Sequence, residues 1–310
     1  MHTEPILMAI AGPTASGKSE LALRIAGRIN GEIINCDSVQ MYRGFDIGTA
    51  KLPESEWRGV PHYLIDILEP AEVFTAGEFA RRARRVMAGI AERGKTPILA
   101  GGTGFYLRAL IHGLSPGPRR DDDLRARLAA REKRRAGSVH RLLSRFDPPS
   151  ARRIHANDVA KAMRALEICL LSRQPASLVL AQERDALTGY RVLKIGLFPP
   201  RDALYKRIDL RSERMFREGL LTEVEGLLGR GVPRGAKAFE ALGYRQALQV
   251  IDGELSVSQA VFHTAQQTRN YAKRQMTWFR REPGISILHG FGDEEPVFAG
   301  AIALIDAMVR

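Results

Sequence analysis

Two rhythms of apolar residues alternate along the first third of the chain. Ile6 to Ala11 is an unbroken apolar run that ends in a glycine-rich loop, as expected of a strand buried on both faces of a parallel sheet. From Ser19 to Ile29 the spacing changes to that of a helix, with Leu21, Ile25 and Ile29 on one face. Short strands are predicted over 32–36 and 63–67, and a fourth over 97–102. Between them, 74–94 carries helix punctuation. Thr75 and Glu78 match a capping box, Phe74 and Phe79 a hydrophobic staple, and Gly94 falls where a C′ glycine belongs. Strands alternating with helices predict a parallel α/β sheet.

At Pro116-Gly-Pro118 the rhythm breaks. Residues 121–172 are helical in character, rich in arginine and without a strand-like run, and strand character returns over 192–198, closed by Pro199-Pro200. The expected organisation is an α/β core with a parallel sheet, made of 1–118 and 190–310 and interrupted by a helical insertion domain at 119–189. After Pro200 the pattern is mostly helical, with one short apolar run at Ile285–Leu288.

Composition adds two constraints. No apolar run approaches the ~20 residues of a membrane span, and Ile6–Ala11 is too short for a signal sequence. Two cysteines, Cys36 and Cys169, form neither a disulfide framework nor a metal-ligand pattern, which points to a reducing cytoplasm. The net charge of +12 is unevenly spread. Between Arg119 and Arg164 there are 14 Lys/Arg against 6 Asp/Glu, so 8 of the 12 excess charges fall in 46 residues. A localised cationic surface of this size suits a polyanion such as nucleic acid.

Four segments carry candidate chemistry. Gly12, Pro13, Thr14, Ala15, Ser16, Gly17, Lys18 and Ser19 spell GPTASGKS between a strand and a helix, the context of a P-loop. Backbone N–H groups and the helix N-terminus would cradle phosphate oxygens, Lys18 would reach the outer phosphate, and Ser19 would ligate Mg2+. Asp37 closes the second strand, so it should face the same anion. There it could ligate metal, position a nucleophile or act as a general base, or simply cap the next turn. GGTGFY (101–106) also ends a strand and offers the Thr103 hydroxyl. Finally, 269–281 predicts a helix with Tyr271, Gln275 and Trp278 on one face and Arg269, Lys273 and Arg280 roughly opposite.

Seven stretches together resemble the bacterial tRNA dimethylallyltransferases, also called tRNA isopentenyltransferases. They are GPTASGKS (12–19), DSVQMYRGFDIGTAK (37–51), PHYLIDI (61–67), GGTGFYLRAL (101–110), NDVAKAMRALEI (157–168), ALGYRQ (241–246) and AKRQMTWFRR (272–281). The resemblance implies transfer of a dimethylallyl group from dimethylallyl diphosphate to N6 of the adenosine 3′ of a tRNA anticodon. It implies a P-loop that holds the donor's diphosphate with Mg2+, Asp37 as general base, and Thr103 in the channel where base and donor meet. Lys18 would stabilise the leaving diphosphate, with Arg207 or Arg211 as its clamp. Contacts to the tRNA anticodon stem-loop are implied for Asp37, Ser38, Val39, Gln40, Thr103 and Arg125. Ala160, Lys161, Ala162, Met163 and Arg164 are further implied contacts, as are Lys273, Arg274, Gln275, Trp278 and Arg280. Family members commonly carry Arg where this chain has Lys161, which keeps the charge without the bidentate fork. RRAGSVHRLL (134–143) matches no diagnostic stretch and enters on charge alone.

Three other readings of the same residues stand beside this one: an ATP-dependent P-loop kinase of a small molecule, a prenyltransferase acting on free adenine nucleotide, and a non-catalytic nucleotide-binding RNA switch. The first two leave the basic insertion without a purpose, and the third leaves Asp37 idle. A monomer is the default expectation.

Overall fold

The computed structural model describes residues 4–115 and 117–309. Pro116 of the expected linker, and the chain ends at 1–3 and 310, lie outside the described residues. Among the described residues, six strands form one parallel sheet in the order β3-β2-β4-β1-β5-β6. They are β1 (Ile6–Ala11), β2 (Gly31–Asn35), β3 (His62–Tyr63), β4 (Thr96–Gly101), β5 (Arg191–Leu197) and β6 (Ile285–Leu288). β1 lies at the centre because it is apolar throughout: Leu7 to Ala11 are buried, and β4 and β5 pair on its two sides. β3 stops after two residues, short of the strand expected over 63–67. Leu64 and Asp66 turn to positive φ, which breaks the extended run.

Contacts divide the chain into two compact units, Met1–Leu110 with Thr188–Arg310, and Ile111–Leu187. In the first, α1 (Lys18–Ile29) and α2 (Ala76–Glu92) cover the sheet. α2 begins with the expected Thr75–Glu78 capping box, and Gly94 follows it at φ 69°. Phe74 and Phe79 both pack on Tyr106. α3 (Gly104–His112) leads to the second unit, which holds α4 (Asp122–Arg134), α5 (Ser138–Phe146), α6 (Pro148–Arg153), α7 (Val159–Ser172) and α8 (Ala176–Val179). The first unit resumes with α9 (Arg201–Arg217), α10 (Leu220–Gly229), α11 (Tyr244–Ile251), α12 (Val257–Phe279) and α13 (Glu295–Val309). No helix among the described residues is long and apolar enough to cross a membrane.

The register sets the site. Ala11 stands level with Gly101 of β4 and Gly196 of β5, so the loops after β1, β4 and β5 leave the sheet along one edge. The loop after β2 leaves there too, since Asn35 pairs with Ala100. Gly101 is held against the Cys36 backbone so closely that a Cβ would come within 2.2 Å of the Cys36 carbonyl oxygen. A glycine there lets the loops of β2 and β4 touch.

Candidate active site

The 12–19 loop runs from the end of β1 into α1, turning left-handed at Ala15 (φ 63°) and Gly17 (φ 81°). Two neighbours hold it. The Thr14 amide donates to Gln275 Oε1 (2.8 Å), and Arg211 donates to Thr14 Oγ1 (2.7 Å). On the far side the Gly292 amide donates to the Ser16 carbonyl (2.9 Å). Lys18 donates to the Pro13 carbonyl (2.6 Å), folding back over its own loop. Ser19, in the first turn of α1, is exposed.

Asp37 leaves the end of β2. Its Oδ1 accepts from the Val39 amide (2.9 Å) and, at longer range, from the Gln40 amide (3.4 Å), making the turn that follows. Thr103 Oγ1 accepts from the Ser38 amide (3.1 Å), so the GGTG loop pins the same turn from β4. The capping and the chemical alternatives for Asp37 are therefore compatible. One oxygen organises the turn, and the side chain still lines a cavity.

That cavity, of about 340 Å³, is lined by Thr14, Asp37, Ser38, Val39, Gly48 and Thr49 from the strand loops. Arg211, Ser212 and Met215 of α9 line it as well, with Thr264, Thr268, Tyr271 and Arg274 of α12 and residues 240–242. It combines an apolar wall with a few converging charges, the make-up of a small-molecule site. Burial lowers Lys18 to about 8, with Arg211 adding to the shift and Asp37 opposing it. Burial likewise lowers Arg211 to about 10, again against the pull of Asp37. Two cations compressed beside one carboxylate form a site short of negative charge, which an anion would relieve. Burial first, then the Asp37 charge, raises the Tyr271 phenol and the Cys36 thiol, so both stay neutral. Ser16 Oγ in the loop and Thr264 Oγ1 in the wall are buried hydroxyls without a hydrogen-bond partner. Of the two, Thr264 lines the cavity.

The two arginines offered as diphosphate clamps separate. Arg207 is committed to Asp293 through both guanidinium nitrogens (2.8 and 3.0 Å) and lies over the Phe291 ring, whereas Arg211 lines the cavity. The basic helix divides only in part as its spacing predicts, since Arg269 is half-buried. Lys273, Arg274 and Arg280 are exposed, and Arg274 reaches both the cavity and the Tyr271 ring. Arg269 is paired with Asp209. Gln275 faces inward. Its Nε2 donates to the Gly102 carbonyl (2.8 Å) while its Oε1 holds Thr14, so one buried amide ties the two loops together. Trp278 packs against Gly104 with Arg108 over its ring.

In the helical unit, several residues expected to meet tRNA are occupied internally. Arg125 forks onto Glu167 (2.8 and 2.9 Å), and Arg164 reaches the same carboxylate (2.6 Å) and the Pro118 carbonyl. Burial alone would raise Glu167, but Arg125, the Asp121 amide and Arg164 outweigh it and hold it at about 2. Ala162, expected at the tRNA surface, is fully buried because α7 turns it into the core with Leu166 and Ala165. Met163 packs on that core from its edge, while Ala160 and Lys161 are exposed, with Lys161 on Asp158. Arg119, Arg120, Arg127, Arg131, Lys133, Arg134, Arg135, Arg141, Arg145, Arg152, Arg153, Arg173 and Arg184 are exposed as well.

Sequence reasoning overlooked Thr264, Thr268 and Ser212 in the cavity wall. A signal was present: Thr264, Thr268, Tyr271 and Gln275 recur at spacings of four, three and four, one continuous helical face.

Fold and site together define a parallel α/β protein with a crevice at the C-terminal ends of its strands, lined by Thr14, Asp37 and Arg211. The family model described as IPP transferase matches residues 40–282, and the chain belongs to that family. Curated relatives include a tRNA dimethylallyltransferase of Solibacter usitatus, 60% identical over 93% of this chain and 94% of its own length. Another, of Koribacter versatilis, is 51% identical over 98% of this chain and 99% of its own length. Among solved structures, the tRNA isopentenylpyrophosphate transferase of Bacillus halodurans is 36% identical with a TM-score of 0.71, covering 98% of both chains. A eukaryotic dimethylallyltransferase acting on tRNA is 25% identical with a TM-score of 0.84, over 99% of this chain and 80% of the other.

Proposed function

We propose that this chain transfers the dimethylallyl group of dimethylallyl diphosphate to N6 of the adenosine immediately 3′ of the anticodon in tRNA, releasing diphosphate. One observation carries the reading: Asp37 shares a cavity with Thr14 of the phosphate loop and with Arg211. The relatives' names favour neither an ATP-dependent kinase nor a prenyltransferase of free adenine nucleotide.

The diphosphate sits on the 12–19 loop, where the α1 N-terminus, Lys18 and Arg211 meet its charge. N6 attacks the allylic carbon bearing the diphosphate; the new C–N bond forms as the C–O bond breaks. Asp37 accepts the proton N6 loses, and the electron pair of the broken bond leaves on the diphosphate. Lys18 and Arg211 stabilise that charge where it develops. Thr103 acts through the Ser38 turn, keeping Asp37 aimed at the acceptor. Among the described residues no group of three or more His, Cys, Asp or Glu side chains is placed to hold a metal. The Ser19 hydroxyl, exposed at the head of α1, would hold Mg2+ together with oxygens of the diphosphate. When bound there, Mg2+ would add positive charge to the leaving group. The extruded adenosine enters the cavity past Asp37–Gln40. Lys273, Arg274, Arg280 and the exposed cations of the helical unit bind the tRNA backbone. Arg125, Arg164 and Gln275 serve binding by holding their surroundings in shape.

The test uses labelled dimethylallyl diphosphate with undermodified tRNA, AMP or no acceptor, with ATP omitted. Label in tRNA alone is expected. A strict ATP requirement, or label only in AMP, overturns the reading.

A further inference from the structure

The ALGYRQ stretch and α10 contain no group in the cavity's charge cluster, yet they grip one of its walls. Tyr244, the first residue of α11, is completely buried against Phe45, with ring centroids 4.7 Å apart. Its hydroxyl accepts from the Gly48 amide (3.1 Å) and donates to Glu223 Oε1 of α10 (2.6 Å). The other oxygen of Glu223 accepts from the Ile47 amide (2.8 Å) and the Asp46 amide (3.2 Å). Three successive backbone donors are thus taken up by two side chains from outside the segment. Gly48 lies so close to the phenol that a Cβ would come within 2.4 Å of the ring, so only glycine allows the approach.

The gripped segment is not peripheral. Gly48 and Thr49 line the cavity. The Thr49 carbonyl accepts from Gln40 Nε2 (3.2 Å), and the Gln40 amide belongs to the turn organised by Asp37 Oδ1. A chain of contacts therefore runs from Glu223 through Tyr244, Gly48, Thr49 and Gln40 to Asp37.

We infer that Glu223 and Tyr244 are positioning residues, a clamp that fixes the Asp46–Thr49 wall and, through Gln40, the aim of Asp37. The inference rests on the proposed function for the meaning of Asp37. Neither residue lines the cavity, so loss of the clamp should lower turnover and leave donor binding alone. The phosphate loop is held separately by Gln275 and Arg211.

Tyr244→Phe removes one hydroxyl from an otherwise unchanged ring, and Glu223→Gln keeps an acceptor oxygen. In the full chain each should lower kcat for tRNA prenylation about tenfold, with the donor KM within twofold. The double variant should be no worse than the poorer single one, since both act on one segment. In an Asp37→Asn background, Tyr244→Phe should leave the residual rate unchanged. An unaltered kcat, or a tenfold loss persisting in the Asp37→Asn background, overturns the inference. Amide hydrogen exchange decides the clamp without reference to activity. Tyr244→Phe should speed exchange at Gly48 at least tenfold, and unchanged exchange there overturns it. A wild-type chain that prenylates no tRNA while Gly48 still responds would sink the proposed function and leave the clamp standing.

Discussion

Replacing Gln275 by alanine asks whether this residue meets tRNA or ties the active-site loops together. The side chain is 6% exposed, with one hydrogen bond to the Thr14 amide and one to the Gly102 carbonyl, each 2.8 Å. Truncation removes both and leaves the half-buried Thr14 N–H and the buried Gly102 C=O without those partners. Each net hydrogen bond contributes about 1 kcal/mol, and an unsatisfied buried group costs about 1–3 kcal/mol. With partial relaxation, the expected loss is about 2–4 kcal/mol. At roughly 2 °C per kcal/mol for a chain of this size, the melting temperature should fall by about 4–8 °C. The phosphate loop loses its tether to the GGTG loop, so the donor KM should rise about tenfold, equivalent to about 1.4 kcal/mol. The tRNA KM should stay within twofold. The assay is thermal unfolding followed by steady-state prenyl transfer with each substrate varied in turn. A variant with the parental melting temperature and donor KM, but a raised tRNA KM, would refute the tether and make Gln275 a direct contact.

Other outcomes follow from the same geometry. Asp37→Ala should lose at least about 10²-fold in turnover while tRNA binding, measured by filter retention, is kept; equal losses in both would make Asp37 a positioning residue. Lys18 sits at about 8 in the free protein and the diphosphate favours its charged form. Donor KM should therefore be flat below pH 8 and rise by up to about tenfold per pH unit above it. A flat profile to pH 9.5 would take Lys18 out of the donor site. Glu167→Gln should destabilise the helical unit by about 3 kcal/mol, because it leaves Arg125 and Arg164 without their carboxylate. Hydrogen exchange in α7 would report it. The stability Glu167 confers is full above about pH 4.5 and is lost as the pH falls toward 2, since its folded value is depressed.

Much of this architecture was legible in the chain. The β1 apolar run, the Thr75–Glu78 box and the strand–loop–helix setting of GPTASGKS each repeat a local rule, and local rules survive folding. Asp37 beside the phosphate loop was legible from topology, because parallel strands deliver their C-terminal ends to one crevice. Less visible was anything set by long-range pairing. Sequence spacing put Gln275 on one helical face with Tyr271 and Trp278, and the resemblance made it a tRNA contact; neither showed that it is buried with its amide spanning two loops more than 170 residues away. Charge counting marked Arg125 and Arg164 as free for a polyanion, whereas Glu167, three positions from Arg164, absorbs both. A residue tally cannot distinguish a solvated arginine from one closing a buried ion pair. The same blindness hid Glu223, whose partners are backbone amides 176 and 177 residues away.

In the proposed function the phosphate loop holds a prenyl diphosphate while Asp37 deprotonates an adenine amine of tRNA. The most direct measurement is single-turnover transfer from labelled dimethylallyl diphosphate to undermodified tRNA without ATP, followed by nucleoside analysis of the product. The expected product is N6-dimethylallyladenosine at the position 3′ of the anticodon, formed by the wild type and at least about 10²-fold more slowly by Asp37→Ala. Label on any other atom or nucleotide, or equal rates for the two proteins, would contradict it.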